Sequence, residues 1–224
     1  MGVPLQSPLS AAQKAPDIVV DHIGLVEYES ALALQRKIHA EVAAGVRTNT
    51  LLLLEHPSVF TAGKRTQSFE LPSDGTPVVQ VDCGGRITWD GPGQLVGYPI
   101  VKLLKPTELV GFVRTLEAAL IKVCNEIGVT AVPVDGRSGV WICDGKGERK
   151  IAAIGIRVAS GVTMHGFALN VSPDLTSFSQ IIPCGIDDAS VTSLAIELGR
   201  LIDIAEITPI VEKHLLEALS KVSV

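Results

Sequence analysis

Hydrophobic residues recur along this chain with two different periods. Residues 29–46, ESALALQRKIHAEVAAGV, place Leu32, Leu34, Ile38 and Val42 at helical spacing, and Gly45 is a natural stop. Residues 107–128 give the clearest amphipathic helix. There Leu109, Phe112, Val113, Leu116, Ala119, Leu120 and Val123 share one face, and Gly128 closes it. Cys124 belongs to that helix and reads as core packing. SVTSLAIELGR predicts a short helix with Ser190 as its N-cap, and ITPIVEKHLLEALSKV a final one.

Between the helices the pattern shortens to strands. Residues 17–28 are apolar and β-branched in their first half, and TNTLLLLEH (48–56) reads as a buried strand. HPSVFTAGKRTQSFELPSDGTP reads as an irregular loop with a turn at Ser73-Asp74-Gly75. Residues 78–103 run strand, turn, strand, glycine-rich loop, strand. Residues 139–172 form a β-meander that turns at DGKGE and again at ASG, with Cys143 at a strand end. Hairpins mixed with helices predict an α+β fold whose sheet is mixed and flanked by helices. No internal repeat or low-complexity segment interrupts it. Residues 1–16 read as a disordered lead-in, and 17–224 as one globular domain.

Composition narrows the function. A chain of 224 residues with 46% hydrophobic positions can bury a real core. The net charge of -5 and the lack of a basic block argue against a nucleic-acid binder. Lys64-Arg65 and Arg149-Lys150 are the candidate local basic patches, set against ordinary solvated charge. The four cysteines, Cys83, Cys124, Cys143 and Cys184, make no C-x-x-C pair and fit no zinc framework. Reduced thiols in a cytosol are the expectation. The first 17 residues lack the pattern of a signal or transit peptide, and the LLLL run is far too short to cross a bilayer.

Two stretches carry candidate chemistry. Gly91, Gly93 and Gly97 are spaced one residue too long for a dinucleotide fingerprint, and no G-K-[ST] follows. Either a tight turn or a backbone that must approach an apolar ligand explains them. The other stretch is SQIIPCGIDD, with Cys184 between stiff Pro183 and flexible Gly185. A thiol reacts as thiolate, and a nearby cation lowers its pKa. Lys150, His165, Arg157 and Lys64 are the candidate partners. A Cys–His pair suits hydrolase or acyl-transfer work, and a Cys–Lys pair suits an amine acceptor.

Six segments in order, LLLEHPSVFTAGKR, GGRITWDGPGQLVGYPI, DGRSGVWI, KIAAIGIRV, HGFALNV and IIPCGI, resemble the lipoyl(octanoyl) transferase family across about residues 17–220. The resemblance implies the catalytic-domain fold of the biotin and lipoate protein ligases. It implies that Cys184 takes octanoyl from the thioester of acyl carrier protein and passes it to a lysine of a lipoyl domain. The acceptors it implies are the lipoyl domains of 2-oxoacid dehydrogenase E2 subunits and the glycine cleavage H protein, with no cofactor and no metal. Lys150 matches the lysine that lowers the cysteine pKa. Cys83, Gly84, Gly85, Arg86, Ile87, Thr88, Trp89 and Asp90 match the substrate-binding stretch. Ala153, Ile154, Gly155, Gly166, Phe167 and Ala168 match the acyl-pocket backbone.

The family pattern reads R-G-G-x-x-T-aromatic-H-G-P-G-Q, so Cys83 stands where arginine is usual and Asp90 where histidine is usual. A carboxylate near a thiol opposes its ionisation; Arg86 is the expected compensator of Asp90 or Cys83. Two other readings stand beside the transferase. One is a lipoate–protein ligase that uses ATP. The other is a degenerate acyl or carrier-protein binding module.

Overall fold

In the computed structural model, residues 17–72, 75–186 and 188–224 are described; the proposed lead-in (1–16) and most of the turn at Ser73-Asp74 lie outside them. Eleven strands and four α-helices appear among the described residues. In chain order they are β1 (Ile18–Leu25), α1 (Tyr28–Ala43), β2 (Asn49–Glu55), β3 (Val59–Ala62), β4 (Val78–Gln80), β5 (Thr88–Asp90) and β6 (Gln94–Ile100). Then come α2 (Leu109–Glu126), β7 (Val132–Val134), β8 (Arg137–Cys143), β9 (Glu148–Ala159), β10 (Val162–Asn170), β11 (Ser190–Val191), α3 (Leu194–Leu198) and α4 (Ile204–Leu219).

The main sheet runs β1-β2-β6-β10-β9-β8-β7, with β11 added against β9. It is mixed as expected: β1 pairs with β2 in parallel and β11 with β9 in parallel, while the remaining pairs are antiparallel. Both faces of its central strands are covered, so β2, β6 and β10 are buried almost throughout rather than alternating. On one face α2 and α4 pack through Phe112, Leu116, Leu120, Val211 and Leu215. On the other, α1 packs through Ala31, Ile38 and Val42 against Leu52, Leu54 and Ile100.

A second, three-stranded sheet, ordered β4-β3-β5, sits beside the main one. Its core is Phe60, Ile87 and Trp89, closed by Phe178 and Ile181. This corrects the reading of residues 56–77 as an irregular loop. Val59–Ala62 is a strand, too short to show a period, held by β4 in parallel and β5 in antiparallel pairing. Ser190 is not a helix cap either. It pairs with Arg149 on β9, and Ser193 caps α3 by accepting from Ile196 N–H at 3.3 Å. The final helix starts at Ile204, ahead of the sequence estimate, and carries Pro209 inside it. Leu109 at the head of α2 is exposed rather than on the buried face.

The three glycines of the glycine-rich loop serve packing and turning, not ligand approach. None of them lines the cavity described below. Gly93 has φ +87°, and a Cβ there would meet the Ser172 carbonyl at 2.7 Å. Gly97 leaves room for the Phe167 ring.

Candidate active site

A cavity of about 360 Å³ opens between the two sheets. The small sheet supplies Thr61, Thr88 and Asp90, and β9 supplies Lys150 and Ala153, Ile154 and Gly155. β10 supplies His165, Gly166, Phe167 and Ala168, and the loop after Phe178 supplies Cys184 and Gly185. Cys184 and Lys150, far apart in sequence, therefore face one space. They also share a small adjoining cavity with Thr88 and Asn170.

The Cys184 loop is held rather than free. Cys184 is half-buried, in a single tight turn over Pro183–Gly185, at φ 57° and ψ 14°. That left-handed conformation is uncommon for a residue with a side chain. Its N–H donates to the Ile87 carbonyl at 2.8 Å, which ties the loop to the strand β5 continues. Arg86 lies against Gly185, whose φ of +67° is one that side-chain-bearing residues rarely adopt, and pairs with the fully buried Glu70. Arg86 is therefore committed to Glu70 and compensates neither Asp90 nor Cys83.

Lys150 is 7% exposed and makes no ion pair or hydrogen bond with its ammonium among the described residues. Its Nζ lies 4.7 Å from the centroid of the Trp141 ring, a cation–π contact with the residue opposite it in the β8–β9 register. Gly139, at φ +114°, gives its stem room, since a Cβ there would sit 3.3 Å from Lys150 Cε and 2.6 Å from the Ala152 carbonyl. A buried lysine without a carboxylate partner is costly. The Cys184 sulfur lines the same cavity.

The other candidate partners are engaged elsewhere. His165 Nε2 bonds Asp82 Oδ1 at 2.8 Å, and Arg157 pairs with the same carboxylate. Burial holds the His165 imidazole below its ordinary pKa, against the pull of Asp82. Lys64 is exposed and does not line the cavity, whereas its neighbour Arg65 does. Arg149 is no free cationic patch, because it bonds Asp144 and Glu197.

Of the predicted binding stretch, Cys83, Gly85, Arg86, Thr88 and Asp90 line the cavity, and Gly84, Ile87 and Trp89 do not. Strand alternation is the reason for Trp89. Thr88 and Asp90 face inward, so Trp89 faces away, 5.3 Å from the Phe178 ring, with its Nε1–H donating to Ser58 Oγ at 2.8 Å. Ile87 is fully buried in the small-sheet core. The Cys83 thiol is pushed up by burial, and further by Asp82 and Cys184.

Asp90 is 8% exposed, and burial raises its carboxyl from the ordinary 3.8 to about 7. Its charge is felt by Tyr28 and Tyr98. Both tyrosines, with Val81 and Val96, line the cavity and were not anticipated; Tyr28 comes from the head of α1, Val81 from just after β4, and Val96 and Tyr98 from β6, where the sequence carries no local signal of a shared site. Among the described residues no group of three or more metal-ligating side chains occurs, and no helix is long and apolar enough to cross a membrane.

A mixed sheet covered by helices, with a cavity opening beside it, is the architecture of a ligase- and transferase-type catalytic domain. The pattern of the lipoyl protein ligase A/B catalytic domain matches residues 27–216, and the chain belongs to that family. Among its curated relatives, the octanoyltransferase of Acidothermus cellulolyticus is 60% identical over 90% of this chain and 92% of its own. That of Nocardia farcinica is 54% identical over 94% and 85%. Solved structures share the fold. A bipartite lipoate protein ligase from Thermoplasma acidophilum superposes with a TM-score of 0.68 at 14% identity, over 91% of this chain and 84% of its own. The biotin protein ligase of Aquifex aeolicus gives 0.56 at 16% identity, over 91% and 71%.

Proposed function

We propose that this protein is an octanoyltransferase that works through a thioester on Cys184. The observation that carries the reading is the shared cavity of Cys184 and the unpaired ammonium of Lys150. The close octanoyltransferase relatives supply the acyl group. In the first half-reaction the Cys184 thiolate attacks the carbonyl carbon of an octanoyl thioester on acyl carrier protein. The carrier's C–S bond breaks, and its thiolate leaves and takes up a proton. In the second, the neutral ε-amine of a lysine on a lipoyl domain attacks the carbonyl carbon of the Cys184 thioester, the C–S bond breaks, the nitrogen gives up one proton to solvent as the amide forms, and the Cys184 thiolate is released. Exchange of one thioester for another is close to balanced, and amide formation draws the sequence forward. Lys150 stabilises the thiolate at both ends of the cycle.

The acceptors we assign are the lipoyl domains of 2-oxoacid dehydrogenase E2 subunits and the glycine cleavage H protein. The described cysteines are all free thiols, which suits a reducing compartment, and we place the reaction in the cytoplasm. Residues 17–224 act as one catalytic domain in this reading.

Intact-protein mass spectrometry after mixing with octanoyl-acyl carrier protein, without ATP, tests it. The expected result is one octanoyl adduct, mapped to Cys184 and absent from Cys184→Ala. An adduct on Cys83, Cys124 or Cys143, or acyl transfer to a lipoyl domain that depends on ATP, overturns it.

A further inference from the structure

The small cavity that adjoins Cys184 measures about 10 Å³, room for about one water-sized group. Its polar lining is Cys184, Lys150, Thr88, Gln94 and Asn170. When a thiolate adds to a thioester carbonyl, the carbonyl oxygen becomes an oxyanion, and donors aimed at that oxygen lower the barrier. The backbone of the Cys184 turn supplies none. The Cys184 N–H donates to the Ile87 carbonyl at 2.8 Å, the Gly185 N–H to the Ile182 carbonyl at 3.0 Å, and the Ile186 N–H to the Pro183 carbonyl at 3.1 Å. Donors for an oxyanion in this cavity therefore come from side chains.

The hydrogen bonds of those side chains show which are free to donate. The Gly91 N–H donates to Gln94 Oε1 at 2.6 Å, and a backbone N–H only donates, so the two ends of the Gln94 amide are fixed. Gln94 Nε2 donates to Asn170 Oδ1 at 2.8 Å and to the Trp89 carbonyl at 3.4 Å, which uses both of its hydrogens. Asn170 Nδ2 gives one hydrogen to the Thr192 carbonyl at 2.8 Å, and its second has no partner among the described residues. The Thr192 N–H donates to the Lys150 carbonyl at 2.9 Å, so this chain of amides ends on the strand that carries the ammonium. The Thr88 hydroxyl has no hydrogen bond of its own among the described residues, and Thr88 lines both the small cavity and the large one.

We infer that the small cavity is the oxyanion hole of the transfer, with the Thr88 hydroxyl and the free N–H of Asn170 as its donors. The inference rests on the acyl-transfer reading and adds the groups that hold the reacting oxygen. Cys184 lines both cavities, so a carbonyl bonded to its sulfur can place its oxygen in the small one and its alkyl chain in the large one. As the sulfur bonds to the carbonyl carbon, the π electron pair moves onto the oxygen, which accepts a hydrogen bond from each donor. As the carrier's sulfur leaves, the pair returns and the C=O bond re-forms. In the second half-reaction the amine nitrogen adds to the same carbon, and the same donors hold the same oxygen. Thr88 keeps its proton throughout. Lys150 lines the small cavity too, so charge that passes from sulfur to oxygen stays in the field of one ammonium.

The test sets single-turnover acylation by octanoyl-pantetheine beside alkylation of Cys184 by iodoacetamide, a displacement at a saturated carbon that forms no oxyanion. Thr88→Val keeps the shape and loses the donor, and Thr88→Ser keeps the donor. Thr88→Val is expected to slow acylation by about 100-fold and to leave alkylation unchanged, and Thr88→Ser to recover most of the acylation rate. Acylation of Thr88→Val at the unmodified rate, or of Thr88→Ser at the valine rate, overturns the inference. A matching fall in alkylation overturns it too, because Thr88 then acts on the thiol. Binding of octanoyl-pantetheine to Cys184→Ala should be the same with and without Thr88→Val. Weakened binding that accounts for the lost rate makes Thr88 a ground-state contact and also overturns it. If iodoacetamide alkylates Cys184 in the unmodified protein and octanoyl-pantetheine does not acylate it, the transfer reading fails and the inference falls with it. Thr88→Ala carries the comparison if Thr88→Val does not fold.

Discussion

The two ends of the cavity solve opposite electrostatic problems. At one end Lys150 is buried with no carboxylate beside it, its ammonium set over the Trp141 ring. At the other, Asp90 is buried with no cation beside it, and burial drives its carboxyl to about 7. The unpaired cation lines the same cavity as the Cys184 thiol. The unpaired acid stands on β5, where burial favours the protonated carboxyl. Joining the two in an ion pair would remove both costs. Keeping them apart is the work of β9 and β5, which enter the cavity from different sheets.

The largest effect is expected where the cation is removed. Lys150→Met keeps the buried stem and deletes the charge. Without the ammonium to stabilise the attacking thiolate, acylation at pH 7 should fall by about 10-fold or more. Iodoacetamide alkylation of Cys184 against pH measures this directly. A Lys150→Met profile that coincides with the unmodified one would mean that the ammonium does not act on the thiol.

Asp90 gives the complementary experiment on stability. Its folded pKa is raised above the unfolded value, so folding is unpenalised by this group below about pH 4. As the pH rises from 4 towards 7 the unfolded chain ionises while the folded one holds its proton, and above 7 the full penalty applies. The rise from 3.8 to about 7 sets that penalty at about 4 kcal/mol at most. Asp90→Asn should therefore gain stability over the unmodified protein with rising pH, reaching about 2–4 kcal/mol by pH 8 and close to nothing at pH 4. Urea denaturation at a series of pH values checks it. A constant difference across that range would place the carboxylate in contact with a compensating group.

Gly139 sharpens the cation end. Its φ of +114° is a glycine conformation, and a Cβ would press on the Ala152 carbonyl at 2.6 Å and on the Lys150 stem. Gly139→Ala should cost about 1–3 kcal/mol in strain. It should also shift the alkylation profile of Cys184 in the direction of Lys150→Met, because the displaced stem carries the ammonium with it. Thermal unfolding and the alkylation profile separate the two effects.

Much of this architecture is written in local sequence, and some of it cannot be. The amphipathic runs of α1 and α2 and the meander of β8, β9 and β10 are long enough for a period to show, and they lie where the pattern puts them. Val59–Ala62 has four residues and no period of its own; its strand conformation comes from β4 and β5 on either side. Cys184 was legible as a candidate from its Pro–Gly setting, and Lys150 was one cation among several until the fold committed His165 and Arg157 to Asp82. Tyr28 and Tyr98 enter the site from elements far apart in sequence, and neither bears a local mark of it. The departures at Cys83 and Asp90 were visible, but their meaning was not. Arg86 looked available to neutralise them, and only the burial of Glu70 shows why it is not.

The smallest expected effect concerns that last pair. Glu70 is buried, accepts from the Gln67 N–H at 2.7 Å and pairs with Arg86, whose side chain lies against Gly185. Glu70→Gln keeps an acceptor for the backbone and removes the charge. Arg86 is partly exposed, so water takes over part of its solvation, and the loss in stability should be about 1–2 kcal/mol rather than the larger cost of breaking a fully buried pair. The Cys184 turn then loses one of its two supports while the bond from its N–H to Ile87 persists. A modest rise in KM for the acyl donor, a few-fold, with kcat little changed, is the expected signature of a loop that samples its productive position less often. A fall in kcat at constant KM would instead place the Arg86–Glu70 pair in the chemical step, and the cation end of the cavity would then contain two working cations, Lys150 and Arg86.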